Sequence, residues 1–146
     1  MKKRCDMLNQ YVCDMYGAFT QAQGFHWNVE GASFFHLHTF FGEIYSTLYE
    51  DIDALAERIR ALGGYPPSTL KEIAQHMTLE EKGGPLASNA MVEVCIAHLS
   101  TLIECGQHII RICEDEKDVV TADLLTSMLY KLDKYRWQAT SYIKTN

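Results

Sequence analysis

Apolar side chains recur every three or four residues along four long stretches of this chain. These stretches cover residues 8–29, 34–62, 92–113 and 121–142. Such spacing gathers the apolar residues on one face of an α-helix. The pattern therefore predicts four amphipathic helices, of which the second is about 30 residues long.

The connections between these stretches differ in length. Gly63 and Gly64, with two prolines just beyond, end the second helix, and the long connection 65–87 follows. The third and fourth helices are joined only by the acidic turn 114–118. Four long helices with one long crossover form a ferritin-like bundle, and no strand-like alternation is present. The sequence thus predicts an all-α fold in a single domain, residues 1–146.

The long crossover carries two candidate capping boxes. Thr69 precedes Glu72 by three residues, and Thr78 precedes Glu81 by three. In this motif the first side chain caps the start of a helix and the second bonds back to the capping residue. We therefore expect a short helix at about residues 69–76 within the crossover.

Composition and charge narrow the function classes. The chain has 47% hydrophobic and 22% charged residues, which is ordinary for a globular protein, and a net charge of −6. No segment reaches membrane-spanning length, and the amino terminus lacks the apolar core of a secretory signal. We therefore expect a cytoplasmic protein with no membrane partner. Because the net charge is negative, we expect it to bind cations rather than nucleic acid.

The five cysteines form no Cys-x-x-Cys pair. Their odd number and their spacing argue against a zinc knuckle and a disulfide framework. They are predicted to pack as reduced thiols on the apolar helical faces, with redox sensing as the alternative.

Four residues of metal-ligand type set the candidate chemistry. His26 lies on the inward face of the first helix, and the second helix carries His38, Asp53 and Glu57. On one straight helix His38 and Asp53 would lie about 22 Å apart, so one chain cannot close a site with them. If the helix pairs antiparallel with its own copy about a two-fold axis near residues 46–48, His38 meets the acids of the other subunit.

These residue types favour particular metals, although each has an ordinary alternative. Two imidazoles with two carboxylates suit Fe(II), Mn(II) or Zn(II), and they leave coordination positions open. Taken singly, a histidine on an inward face is more often a hydrogen-bonded core residue. The acids, one turn apart, would also fit a solvated helix face.

Longer motifs surround these positions. They are His26-Trp27-Asn28-Val29-Glu30-Gly31, Phe34-Phe35-x-Leu37-His38, Asp53-x-x-Ala56-Glu57-Arg58-Ile59-Arg60-x-Leu62-Gly63, Thr121-Ala122-Asp123-Leu124-Leu125 and Lys134-x-x-Trp137. Together they closely resemble the Dps mini-ferritins, the DNA-binding proteins from starved cells, over nearly the whole chain.

The resemblance implies a shell of twelve subunits, built from two-fold dimers. Such a shell oxidises Fe(II), preferably with hydrogen peroxide, stores Fe(III) mineral and protects the cell from oxidative damage. By position, His26 and His38 match iron ligands from one subunit, and Asp53 and Glu57 match ligands from its two-fold mate. Trp27 matches an aromatic beside the iron site that intercepts radicals, with burial at the dimer interface as the alternative.

One position departs from the family pattern. The family usually has Asp or Glu four residues after the second histidine, where this chain has Gly42. Glu43 lies about 100° further round the helix and His36 about 160° from His38, so neither is a simple substitute. We expect one firmly bound iron per site and a weakened second position.

Further acidic and histidine side chains have weaker assignments. By resemblance Asp118 and Asp123 are candidates for lining a three-fold iron-entry pore, whereas Asp118 would otherwise cap the last helix. Glu104 and His108 form an i,i+4 pair that suits a metal or, more simply, a solvated surface. His76 and His98 have no identified partner.

Two other functions remain as alternatives. The first is a shell with an impaired ferroxidase site that acts as a structural or DNA-compacting protein. The absence of a lysine-rich terminal tail argues that DNA binding is absent or weak. The second is a ferritin with a di-iron site inside one bundle, which needs Glu-x-x-His motifs that this chain lacks.

Overall fold

The structure is a computed structural model that describes residues 1–144. In this range the chain forms five helices and no strand. The helices are α1 (Lys2–Asn28), α2 (Phe34–Ala61), α3 (Leu70–His76), α4 (Ser88–Asp115) and α5 (Val119–Ile143). The expected all-α bundle with a helix-bearing crossover is confirmed. No helix in the described part is long and apolar enough to cross a membrane.

Contacts at one end of the bundle define the helix directions. Arg4, near the start of α1, and Arg58, near the end of α2, both pair with Asp118, the residue before α5. The Asp118 backbone N–H donates to the carbonyl of Cys113, near the end of α4. Hence α1 and α5 run in one direction and α2 and α4 in the other. The crossover must therefore travel the length of the bundle, from the end of α2 to the start of α4.

The core lies between the four long helices. It is built from the apolar faces that the sequence predicted, including fully buried Leu8, Phe41, Leu55, Leu102 and Leu125. Removing these apolar side chains from water is the main force that holds the helices together. Four of the five cysteines are buried as free thiols, whereas Cys105 is exposed.

The first helix begins earlier than the apolar pattern indicated. It starts at Lys2 instead of near residue 8, because tertiary contacts hold its first turn. Arg4 bonds to Glu116 at 2.7 Å, and Cys5 packs closely on Gly64. The spacing of apolar residues along the chain carries no information about these tertiary contacts.

The two capping-box candidates have different outcomes. Thr69 and Glu72 form the full capping box at the start of α3, as predicted. The second candidate is wrong, because no helix follows Thr78 before α4. The backbone N–H of Thr78 donates instead to buried Asp14 of α1, at 2.6 Å. That bond ties the crossover to the bundle.

Candidate metal centre

The two histidines lie together at the junction of α1 and α2. His26 is near the end of α1, and His38 is in the second turn of α2. The short 29–33 connection reverses the chain between them, and their rings stack with centroids 3.8 Å apart and planes 16° apart. His26 and His38 of the same protomer are therefore in direct contact.

Reciprocal hydrogen bonds orient both rings. His26 Nδ1 donates to the carbonyl oxygen of His38 at 2.6 Å, and His38 Nδ1 donates to the carbonyl oxygen of His26 at 2.7 Å. A carbonyl can only accept, so each neutral imidazole carries its proton on Nδ1. The Nε2 lone pairs of both rings are therefore free for a metal, and the Nδ1–H bonds fix the ring orientations.

Aromatic side chains support the histidine pair on both sides. The Phe34 ring stacks on His38 with centroids 5.0 Å apart, and the edge of Tyr45 meets His26 at 5.2 Å. Trp27 is 66% exposed and forms no ring contact within the described residues. In the protomer, Tyr45 is thus the oxidisable aromatic in contact with the site. Sequence analysis missed this role, although Tyr45 lies two turns after His38 on the same helical face.

Gly42 faces the histidine pair directly. A Cβ atom at this position would lie 3.0 Å from Nδ1 of His26 and 3.1 Å from its Cε1. Contacts this short require the ring to shift by a few tenths of an ångström. The imidazole of His26 therefore occupies the space toward which a side chain at position 42 would point.

The two acids lie at the other end of α2. Asp53 and Glu57 are exposed, and neither has a hydrogen bond or an ion pair within the described part of the chain. Because α2 is continuous from Phe34 to Ala61, the separation of about 22 Å from His38 holds in the folded protomer. The structure thus brings His26 and His38 together and leaves the acids apart from them.

No three metal-binding side chains converge within residues 1–144 of one protomer. The four candidate ligands therefore do not form one site within the described part of a single protomer. Glu43 and His36 are exposed.

Asp118 holds helix ends together by hydrogen bonds and ion pairs. It is buried, caps α5 by accepting from the Thr121 N–H at 3.1 Å, and pairs with Arg4 and Arg58. Burial alone raises the pKa of this carboxyl group. The hydrogen bonds from Thr121 and Arg4, with the positive charge of Arg58, outweigh burial and lower the pKa to about 2. The capping alternative therefore describes Asp118, and exposed Asp123 is the remaining pore candidate.

The other polar residues singled out in the sequence lie away from this centre. His98 is buried and its Nε2 bonds to the carbonyl of Glu80 at 2.8 Å, which anchors the crossover. Glu104 and His108 are exposed and line an open groove of about 570 Å³ between α1 and α4. His76 is exposed, and its carbonyl accepts from Gln10 at 2.5 Å.

Comparisons with known proteins agree with this architecture. Residues 5–146 match the family model of the ferritin-like domain. DNA protection during starvation protein 2 of Bacillus anthracis is 32% identical over 142 residues, which are 97% of this chain and 97% of that protein.

Two solved structures are similar over nearly the whole chain. Dps from Staphylococcus aureus is 32% identical with a TM-score of 0.95, and the match covers 100% of this chain and 98% of that one. Dps from Vibrio cholerae O1, described as a member of a broad superfamily of ferritin-like diiron-carboxylate proteins, is 25% identical with a TM-score of 0.94. That match covers 98% of this chain and 90% of the other.

Proposed function

This chain belongs to the Dps family of ferritin-like proteins, and from that premise we propose that it is a ferroxidase and iron-storage protein. It takes up Fe(II), oxidises it with hydrogen peroxide as the preferred oxidant, and stores Fe(III) inside a shell of twelve copies. Removing both reactants together protects the cytoplasm from hydroxyl radical.

The observation that carries this proposal is the reciprocal bonding of His26 and His38. Both Nδ1–H groups are used by backbone carbonyls, so both Nε2 atoms are available in the neutral form that binds metals. Imidazole nitrogen with carboxylate oxygen is a donor set that suits Fe(II) as substrate.

The second half of the site comes from a two-fold mate. Asp53 and Glu57 are exposed, unpaired in the described residues and one turn apart, so both carboxylates can bind the same ion. Pairing of α2 with its copy about an axis near residues 46–48 brings the partner subunit's Asp53 and the partner subunit's Glu57 to this chain's histidines. The histidines orient the iron, and the carboxylates offset its charge.

Gly42 limits the site to one firmly held ion. With no carboxylate at this position, and with the His26 ring against it, a second iron lacks one protein ligand. We therefore propose one tight iron per site and a second, weaker position. An anaerobic Fe(II) titration that found two tight ions per subunit would contradict this part.

Mixed assemblies test the shared site. Chains with His26→Ala and chains with Asp53→Ala are refolded together. A mixed dimer then keeps one intact site, built from the histidines of one chain and the acids of the other. Since random pairing makes half of the dimers mixed, the mixture regains about one quarter of wild-type iron oxidation.

The matched control combines His26→Ala chains with His38→Ala chains. Both changes then damage the histidine half, so no mixed dimer has an intact site and no activity returns. A mixture of His26→Ala and Asp53→Ala that also stays inactive, although it assembles normally, would refute a site shared between subunits.

A second candidate is a shell with an impaired oxidation site that protects DNA, and Gly42 is the observation that favours it. The name of the Bacillus anthracis relative refers to DNA protection. In this chain, however, Arg4 is neutralised by Glu116 and Asp118, and the net charge is −6. Tight binding to duplex DNA in a gel-shift assay at physiological salt, together with slow iron oxidation, would favour this candidate.

A further inference from the structure

An unbroken series of aromatic contacts leads away from the histidine pair. Tyr45 meets His26 edge to face at 5.2 Å between centroids. Phe19 of α1 contacts Tyr45 at 5.9 Å and Tyr49 at 6.0 Å. We call the three residues Tyr45, Phe19 and Tyr49 the aromatic ladder. Its last member is 64% exposed on the surface of the protomer.

The two tyrosines of the aromatic ladder lie on α2 between His38 and Asp53. Tyr45 lies seven residues after His38, about 10 Å along the helix axis, and Tyr49 lies four residues before Asp53, about 6 Å. In the proposed dimer, Asp53 belongs to the site that is completed by the partner's histidines. The ladder therefore begins at one iron site and ends one helical turn from the other.

Reduction of peroxide needs two electrons, so a route for electrons between two iron sites has a function. Hydrogen peroxide takes up two electrons, whereas each Fe(II) ion supplies one. A site that holds a single tight iron delivers only the first electron, and one-electron reduction of peroxide releases hydroxyl radical. A second electron must come from another donor, and the iron of the paired site is an equivalent donor.

We propose that the aromatic ladder carries this second electron between the two iron sites of a dimer. The inference rests on the proposed function. Tyr45 gives an electron and its phenol proton at the first site. It regains the electron from Tyr49 across the Phe19 ring, and it takes a proton from water because it is only partly buried. Tyr49 releases its own phenol proton to solvent as it loses the electron. Tyr49 is in turn reduced by the Fe(II) of the site that includes Asp53, and it recovers its proton from solvent.

The overall step is balanced. Two Fe(II) ions each lose one electron, and one peroxide takes both electrons and two protons. Its O–O bond breaks, and two water molecules form. Tyr45, Phe19 and Tyr49 end as they began. The two-fold relation gives the dimer a second, symmetry-related ladder running the opposite way.

The residue types of the aromatic ladder suit electron transfer, a role that packing alone would not require. Both ends of the ladder are tyrosines, whose phenols are oxidised far more readily than the phenylalanine ring between them. Phe19 holds no charge for long, but its edge contact with Tyr45 and its tilted contact with Tyr49 keep successive rings about 6 Å apart, a typical separation for aromatic pairs. Trp27, the aromatic that the resemblance suggested for radical interception, forms no ring contact with the histidines in the described residues.

Tyr45→Phe and Tyr49→Phe test the proposal, because they keep the ring and remove the oxidisable phenol. The assembled protein is loaded anaerobically with one Fe(II) per subunit and mixed with half an equivalent of peroxide. Three quantities are then measured: the iron oxidised per peroxide, the hydroxyl spin-trap adduct and the tyrosyl radical signal by freeze-quench electron paramagnetic resonance. Tyr130→Phe is the control, since Tyr130 is 73% exposed on α5 and outside the ladder.

The wild type and the Tyr130→Phe variant should oxidise two irons per peroxide with little spin adduct. Tyr45→Phe should halve the iron oxidised per peroxide and raise the spin adduct severalfold. Tyr49→Phe should leave a radical trapped on Tyr45, which is absent in the Tyr45→Phe, Tyr49→Phe double variant. A purely structural role of the rings predicts wild-type values throughout, and that result would overturn the ladder.

The same experiment separates the two levels of proposal. Anaerobic Fe(II) binding by wild type and variants is measured first. If wild type binds Fe(II) and oxidises it with peroxide while both tyrosine variants behave identically to it, the ladder is wrong and the proposed function stands. If wild type neither binds nor oxidises Fe(II), the proposed function itself is wrong.

Discussion

Replacing Asp118 with asparagine should destabilise the bundle by about 2 kcal/mol at neutral pH. Asp118 joins three helices, because it caps α5 and pairs with Arg4 of α1 and Arg58 of α2. Asparagine is nearly isosteric and is a good N-cap, so it can still accept from the Thr121 N–H. The change therefore removes the negative charge and little else.

The magnitude follows from the pKa of the group. Burial raises it, but the Thr121 and Arg4 hydrogen bonds and the Arg58 charge outweigh burial and bring it from 3.8 to about 2. A gap of nearly two pKa units corresponds to about 2 kcal/mol of stability. The side chain is only 6% exposed, so solvent screening reduces this figure little.

The sign of the pH dependence is set by the direction of the shift. Because the folded pKa lies below the unfolded value, the contribution is fully present above about pH 4. It is lost as the pH falls through about 2, where the folded carboxylate takes up its proton. Urea unfolding followed by circular dichroism, at fixed protein concentration and several pH values, measures this contribution.

The variant should be less stable than wild type at pH 7, and the difference should shrink between pH 4 and 2. Asp123→Asn on the same helix is the control, since Asp123 is exposed and should leave stability within about 0.5 kcal/mol. Equal unfolding free energies for wild type and Asp118→Asn at pH 7 would refute the reasoning. An unchanged difference at pH 2 would also refute it.

Three further changes test separate parts of the molecule. Gly42→Asp should make the second, weaker Fe(II) position of each site tight in an anaerobic titration, with a small shift of His26, whose ring lies 3.0 Å from the new Cβ; an unchanged titration would contradict the proposed effect of the glycine. Asp123→Lys should slow iron uptake into the assembled shell, because a positive ring repels cations. Uptake at the wild-type rate would remove Asp123 as a pore residue. Asp14→Ala should cost about 1–3 kcal/mol, because it leaves the Thr78 N–H without its acceptor. Amide hydrogen exchange at residues 78–79 should rise, and unchanged exchange there would show that Asp14 does not hold the crossover.

The helices could be predicted because their information is local. Apolar spacing predicted four long helices, Gly63 and Gly64 the end of the second, and the Thr69 capping box the helix in the crossover. Gly63 has φ +89, a conformation that glycine adopts without strain, which explains why the helix stops there. Turn chemistry and helical periodicity act over a few residues and can be read without knowing the fold.

The partners of polar residues were predicted less well. The sequence suggested Thr78 as a second helix start, but its amide is taken by Asp14, 64 residues away. It left Asp118 open between a pore residue and the cap of the last helix, and it did not predict the two arginines, distant in sequence, that pair with this carboxylate beside the cap. Long-range pairs such as these depend on helix directions that local patterns do not contain.

The sequence by itself determined the helical bundle and the kinds of ligand in the candidate site. It also determined that His38 and Asp53 lie too far apart on one helix to bind the same ion, because helical rise is the same in every protein. Only the tertiary structure decided that His26 and His38 stack with reciprocal Nδ1–H bonds. It also decided that the His26 ring packs against Gly42 and that Tyr45 contacts the histidine pair. These features arise from the packing of α1 on α2, and packing is set by the shapes of both faces at once.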